Sequence, residues 1–197
     1  MKNKIEYLLF KTTGTVLFNS KNYMEVHPGV MTPLLINIKN TLSNYEVRHK
    51  IAKELSKRTS AKTICICGVE SGGSYYASAV ADILKIPLVL FRTKEKNYGI
   101  GGMFVGNIPK VKNGLIAIVE DVIGSGKMSA LTHNALVSLG YKTELIAVYS
   151  FLPKLVGPLS KIKVSALSDI NKLCEVGEKL KSFNKNDIEL IKKECDF

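Results

Sequence analysis

The stretch Leu115-Ile116-Ala117-Ile118-Val119-Glu120-Asp121-Val122-Ile123-Gly124-Ser125-Gly126-Lys127-Met128-Ser129 decides how this chain is read. Five apolar residues open it, the mark of a strand buried on both faces. Glu120 and Asp121 follow as adjacent carboxylates. Gly124-Ser125-Gly126 then runs into a helical pattern that predicts Met128, Leu131, Ala135 and Leu139 on one face. Glycines at such a bend let the backbone approach a ligand closely. The unpaired N–H groups of the first helical turn favour an anion there. Carboxylates just upstream accept hydrogen bonds from sugar hydroxyls. The order strand, acid pair, glycine bend, helix therefore points to a site for a ribose 5-phosphate. The plainer alternative is an ordinary strand-to-helix turn with two solvated acids. The stretch is neither a Walker A loop, whose glycine spacing it lacks, nor a dinucleotide fingerprint, because Ser129 stands where the third glycine belongs.

Around this stretch the chain alternates strands and helices. Predicted strands lie at 64–67, 87–91, 115–119, 145–149 and 164–167. Predicted helices lie at about 43–58, begun by Ser43 or Asn44, from the loop at 68–73 to Leu84, after Gly126, and from Asp187 to Glu194 behind an Asn184 cap. That alternation predicts an α/β fold with a doubly wound, mainly parallel sheet. The first 20 residues read as a short helix or strand. Residues 21–37 read as a flap with extended pieces on either side of Pro28-Gly29. One domain over 1–197 is expected, with a small hood from about 1–40 and part of the C-terminal region.

Composition narrows the function. Cys65 and Cys67 alternate along a predicted strand and belong to the core. Cys174 and Cys195 lie far off, so neither a zinc site nor a disulfide framework is expected. No run of 18 apolar residues suggests a membrane span, and a cytoplasmic location is expected. The net charge of +11 fits a nucleic acid or a small polyanion. The lysines are spread along the sequence rather than gathered in one arm, and no nucleic-acid-binding signature accompanies them. A small phosphorylated substrate is therefore the expected partner.

Two further loops bear on the site. Gly68-Val69-Glu70-Ser71-Gly72-Gly73 follows a predicted strand, and its glycines would let amides approach an anion. Residues 92–110 form a long connection between core strands, carrying Arg92, Lys94 and Lys96 with several glycines. Such a loop suits a lid whose cations neutralise a departing anion. A solvated basic hairpin is the alternative.

The string Ile118-Val119-Glu120-Asp121-Val122-Ile123-Gly124-Ser125-Gly126-Lys127 resembles the phosphoribosyl pyrophosphate (PRPP) motif of type I phosphoribosyltransferases. The 92–110 segment resembles the catalytic loop of the orotate phosphoribosyltransferases. The resemblance implies a magnesium-dependent transfer of phosphoribose from PRPP to a nucleobase. It implies catalytic roles for Lys96, Glu120 and Asp121. PRPP contacts are implied at Arg92, Tyr98, Gly124, Ser125, Gly126, Lys127, Met128 and Ser129, and pyrophosphate contacts at Glu70, Ser71, Gly72 and Gly73. Magnesium would be carried by PRPP rather than caged by side chains. The loop implies a homodimer in which 92–110 reaches the neighbouring site. His27, Leu35 and Ile36 fall where this family holds the orotate ring, but His27 replaces a lysine and two aliphatics replace aromatics. Thr93 and Tyr98 replace a usual lysine and histidine. Where the family usually shows an Asp-Arg pair, this chain reads Tyr149-Ser150-Phe151-Leu152-Pro153-Lys154. Orotate is the expected base. A purine or other base without a carboxylate, a PRPP-binding regulator, and a binder without turnover are the alternatives.

Overall fold

The computed structural model describes residues 4–27, 29–96, 102–152, 159–160 and 162–195. Its centre is a six-stranded sheet. The contributing strands are β5 (Thr63–Val69), β6 (Leu88–Lys96), β7 (Gly102–Val105), β8 (Leu115–Ile123), β9 (Lys142–Ser150) and β10 (Val164–Asp169). Their order is β10-β9-β8-β5-β6-β7. Every neighbouring pair is parallel except β6–β7. From β5 the chain goes first to β6 on one side and then to β8 on the other. The strand order thus reverses between β5 and β8, and the crevice beyond their carboxyl ends is where open α/β sheets hold ligands.

Period-two alternation explains the two cores. Ile66, Ala117, Val119, Ile146 and Val148 face one way. They pack with α2 (Tyr45–Arg58) and α3 (Gly72–Leu84), and with residues of α1 (Ile5–Lys11) and α5 (Ile170–Lys179). Cys65, Cys67, Ile116, Ile118 and Leu145 face the other way, with Leu136 of α4 (Lys127–Ser138). Both strand cysteines are fully buried free thiols, and burial pushes Cys65 up to about 11. Asn44 caps α2 through its side chain, and α6 (Lys185–Glu194) opens with an Asn184–Asp187 capping box.

Outside the sheet, β1 (Val16–Phe18) pairs with β4 (Leu34–Ile36), and β2 (Met24–His27) pairs with β3 (Val30–Thr32) around Gly29 at φ +78°. The N-terminal 20 residues therefore contain both a helix and a strand. Among the described residues no helix is long and apolar enough to cross a membrane.

Three expectations need correction. The connection at 92–110 is not all loop: β6 continues through Lys96 and returns as β7, a two-stranded extension at the sheet edge. Strand β8 does not stop at Val119 but runs to Ile123, so Glu120 and Asp121 lie inside it. The apolar stripe of α4 turns inward only in part: Met128 and Ala135 pack against the core, Leu131 and Leu139 are exposed, and the buried residues are Ser129, Thr132 and Leu136. The helix is turned so that Ser129 reaches Glu120 and His133 meets the Thr143 hydroxyl. Those polar contacts act together with the packing of Met128, Ala135 and Leu136 in setting its rotation.

Candidate active site

A cavity of about 540 Å³ opens at the reversal point. It is lined from β5 and its following turn by Val69, Glu70, Ser71 and Gly72. The end of β8 and the next bend supply Glu120, Asp121, Val122, Ile123, Gly124, Ser125 and Gly126. The first turn of α4 supplies Lys127, Met128 and Ser129. Two loops about fifty residues apart in sequence meet because β5 and β8 are parallel neighbours in register, Gly68 beside Val119.

Alternation within β8 sends the two acids to opposite sides of the sheet. Glu120 follows Ile116 and Ile118 toward α4, where the Ser129 hydroxyl donates to its Oε1 at 3.1 Å. It is only 6% exposed. Burial, reinforced by the charge of Asp121 and opposed by the Ser129 hydrogen bond, pushes its carboxyl up to about 8. Asp121 follows Ala117 and Val119 toward α3, facing Gly72. Burial raises its carboxyl as well. The Val122 N–H, the Lys39 ammonium and its own N–H pull in the other direction. A polar hydroxylated ligand would restore to both carboxylates the hydrogen bonds that burial denies them.

The glycines divide by role. A Cβ on Gly72 would overlap the Asp121 carboxylate, and one on Gly73 would overlap the Val119 carbonyl. Their lack of a side chain is what lets α3 dock against the end of β8. Close approach to an anion is not needed to explain them. Gly126 is different: it caps α4 at φ +73°, a conformation that side chains disfavour. A Cβ on Gly124 would meet open space. The peptide between Glu70 and Ser71 is cis.

Arg92 stands at the rim rather than in the lining. Its Nε lies 3.9 Å from Glu70 Oε1. Its buried Nη1 has no hydrogen-bond partner among the described residues, and neither has Ser74 Oγ in the first turn of α3. An orphaned guanidinium donor beside the turn at 70–73 is a group that an anion would satisfy.

Lys39, on a 3-10 turn (Ile38–Ser43), also lines the cavity. Sequence reasoning missed it, because it is one lysine among many and belongs to none of the glycine loops. Proximity to Asp121 in the fold is what singles it out. Other expected site residues are not brought in. Ile36 is 5% exposed in the core, and neither it nor Leu35 lines the cavity. Tyr98, Pro153 and Lys154 lie outside the described residues, as do the side chains of His27 and Lys96; only the backbones of His27, in β2, and Lys96, in β6, are described.

Comparison with known proteins bears on this geometry. The orotate phosphoribosyltransferase of Lactococcus lactis subsp. cremoris (strain SK11) is 26% identical over 176 residues, covering 84% of this chain and 81% of the relative. The crystal structure of orotate phosphoribosyltransferase from Aeropyrum pernix superposes with a TM-score of 0.71 at 23% identity, over 91% of this chain and 99% of that one. Adenine phosphoribosyltransferase from Leishmania tarentolae superposes with a TM-score of 0.63 at 17% identity, over 88% and 91%. The family profile described as phosphoribosyl transferase domain matches residues 37–146, a span that begins two residues before Lys39, ends within β9, and contains both loops and both acids of the cavity. On that match this chain belongs to the phosphoribosyltransferase family.

Proposed function

We propose that the cavity binds PRPP and that the protein transfers its phosphoribosyl group to a ring nitrogen of orotate, giving orotidine 5'-monophosphate and pyrophosphate in the cytoplasm. One observation carries this reading: a single cavity joins the acid pair, the open bend at Gly124 and the start of α4.

In this reading the terminal phosphate sits on the backbone N–H groups of 124–129, where the helix dipole favours negative charge. Glu120 and Asp121 accept hydrogen bonds from the ribose hydroxyls. The pyrophosphate lies between the turn at Glu70, Ser71, Gly72 and Gly73 and the cations Arg92 and Lys96, and Tyr98 contacts PRPP. The bond from ribose C1 to the pyrophosphate oxygen breaks as the base nitrogen closes on C1. Positive charge grows on the ring and negative charge on the leaving group. Carboxylates on one side and cations on the other favour that separation.

Carboxylate oxygens are the donor chemistry that magnesium takes when it is held mainly by substrate phosphates. Glu120 and Asp121 therefore fit it, and the ion would add charge neutralisation at the pyrophosphate. The hairpin of β6 and β7 supports a homodimer in which it reaches a second copy's site. Orotate as the base is supported by the relatives' activity. The adenine enzyme's shared fold, and the absence of Leu35 and Ile36 from the cavity lining, favour a purine as the second reading.

A pyrophosphate-release assay with PRPP, magnesium and a panel of orotate, uracil, adenine and hypoxanthine tests the reading. Release dependent on orotate is expected. Release dependent on adenine or hypoxanthine alone selects the second reading. No release with any base, together with no calorimetric heat from PRPP, overturns both.

A further inference from the structure

All five parallel strands start at the same edge of the sheet, opposite the cavity, and that edge is lined with lysines. Lys163 immediately precedes β10, Lys142 is the first residue of β9, and Lys62 immediately precedes β5. Lys85 caps the helix leading to β6. All four are exposed, and none makes an ion pair among the described residues. Between β9 and β5, the segment entering β8 carries Lys112, whose ammonium is bonded to the Leu139 carbonyl and lies 5.2 Å from the Tyr141 ring centroid. With strands roughly 4.8 Å apart, the row from β10 to β6 spans roughly 19 Å.

Little negative charge offsets it. Glu144 is buried and accepts from the Thr63 hydroxyl and the Ser60 N–H. Glu54 is held between Lys50 and Lys57. Among the described residues, Asp82, in the last turn of α3 three positions before Lys85, is also an exposed carboxylate. Glu70, Glu120 and Asp121 all lie at the other end of the strands. That end also carries Lys39, Lys127 and Arg92, so the row at the strand starts is marked by its lack of ion pairs among the described residues rather than by holding most of the +11 charge.

We propose that this edge binds a nucleic acid through its phosphate backbone. A row of point charges along one sheet edge matches a linear polyanion. Lysines on a phosphate backbone give affinity without sequence preference. Tyr141, the aromatic at this edge, is 8% exposed beneath Lys112, so it offers no platform on which single-stranded bases would stack. Duplex backbone is the better fit. The surface is separate from the cavity, and its function does not depend on which base the enzyme uses.

Fluorescence anisotropy of the full chain with a labelled 24-base-pair DNA duplex tests the proposal. About five phosphate contacts predict that Kd weakens roughly 500-fold between 50 and 200 mM salt. The triple variant K62E/K142E/K163E is expected to abolish most binding and to flatten the salt dependence by about three contacts. The neutral triple K62Q/K142Q/K163Q should act in the same direction with less charge reversal, and melting curves show that each variant is folded. A control double variant on α6, K192E/K193E, should bind nearly as the parent does. PRPP in excess should not displace the duplex. Equal losses in the control, displacement by PRPP, undiminished binding by both triples, or binding to phosphatidylserine vesicles but not to the duplex would each overturn the proposal.

Discussion

Glu120 offers the sharpest test of the site's electrostatics. Its carboxyl is raised from 4.5 to about 8 because β8 buries it with one hydroxyl donor and a second carboxylate next in sequence. An acid whose folded value lies above its unfolded value contributes stability that is complete below about 4.5. That stability is lost as pH rises toward 8, because the unfolded chain releases the proton first. Replacing Glu120 by Gln keeps the shape and the oxygen that accepts from Ser129 but removes the ionisation. Near pH 5 the two proteins should differ by less than about 1 kcal/mol from this source. Near pH 9 the wild type carries a cost of about 5 kcal/mol, three and a half units at about 1.4 kcal/mol each less the residual at that pH. The variant's advantage should therefore grow by about 4 kcal/mol between the two. Urea denaturation of both proteins at several pH values between these limits measures it directly. Parallel stability curves would refute the reasoning, since they would mean that Glu120 ionises in the folded protein as easily as in the unfolded chain.

Gly73→Ala should lose about 1–3 kcal/mol in thermal or urea denaturation, because its Cβ runs into the Val119 carbonyl. Gly124→Ala should stay within about 0.5 kcal/mol while weakening calorimetrically measured PRPP binding; a stability ranking in the opposite order would refute the packing argument. Lys39→Met removes a cation that holds the Asp121 carboxyl down, so the acid limb of PRPP binding should move to higher pH; an unmoved limb removes Lys39 from that role. Lys96→Ala should lower turnover by a factor of order 10² or more in the pyrophosphate-release assay, the usual effect of losing such a stabiliser. Unchanged turnover would exclude it as the group that neutralises pyrophosphate.

Sequence by itself determined the strand–acid–glycine–helix unit around Glu120 and Asp121, because period-two and helical patterns with glycine bends are local properties of the chain. It also determined the parallel α/β architecture, the cap at Asn184, and the burial of Cys65 and Cys67, and it narrowed the start of α2 to Ser43 or Asn44, of which the structure selects Asn44. The rotation of α4 was not legible: an apolar stripe through Leu131 and Leu139 competes with Ser129 and His133, and only contacts with β8 and β9 decide which face turns inward. The extent of β6 was hidden for a similar reason, since charged Arg92 and Lys96 read as loop until β7 supplies hydrogen-bonding partners along the edge. Nor could residue order reveal that Lys39 comes to Asp121, or that Gly72 and Gly73 are required by the docking of α3. Lysines scattered from position 62 to 163 form one row only once parallel strands bring every entry point to the same edge. Contacts between distant residues are set by strand order and register, and those arise from burial summed over the whole sheet rather than from any one segment.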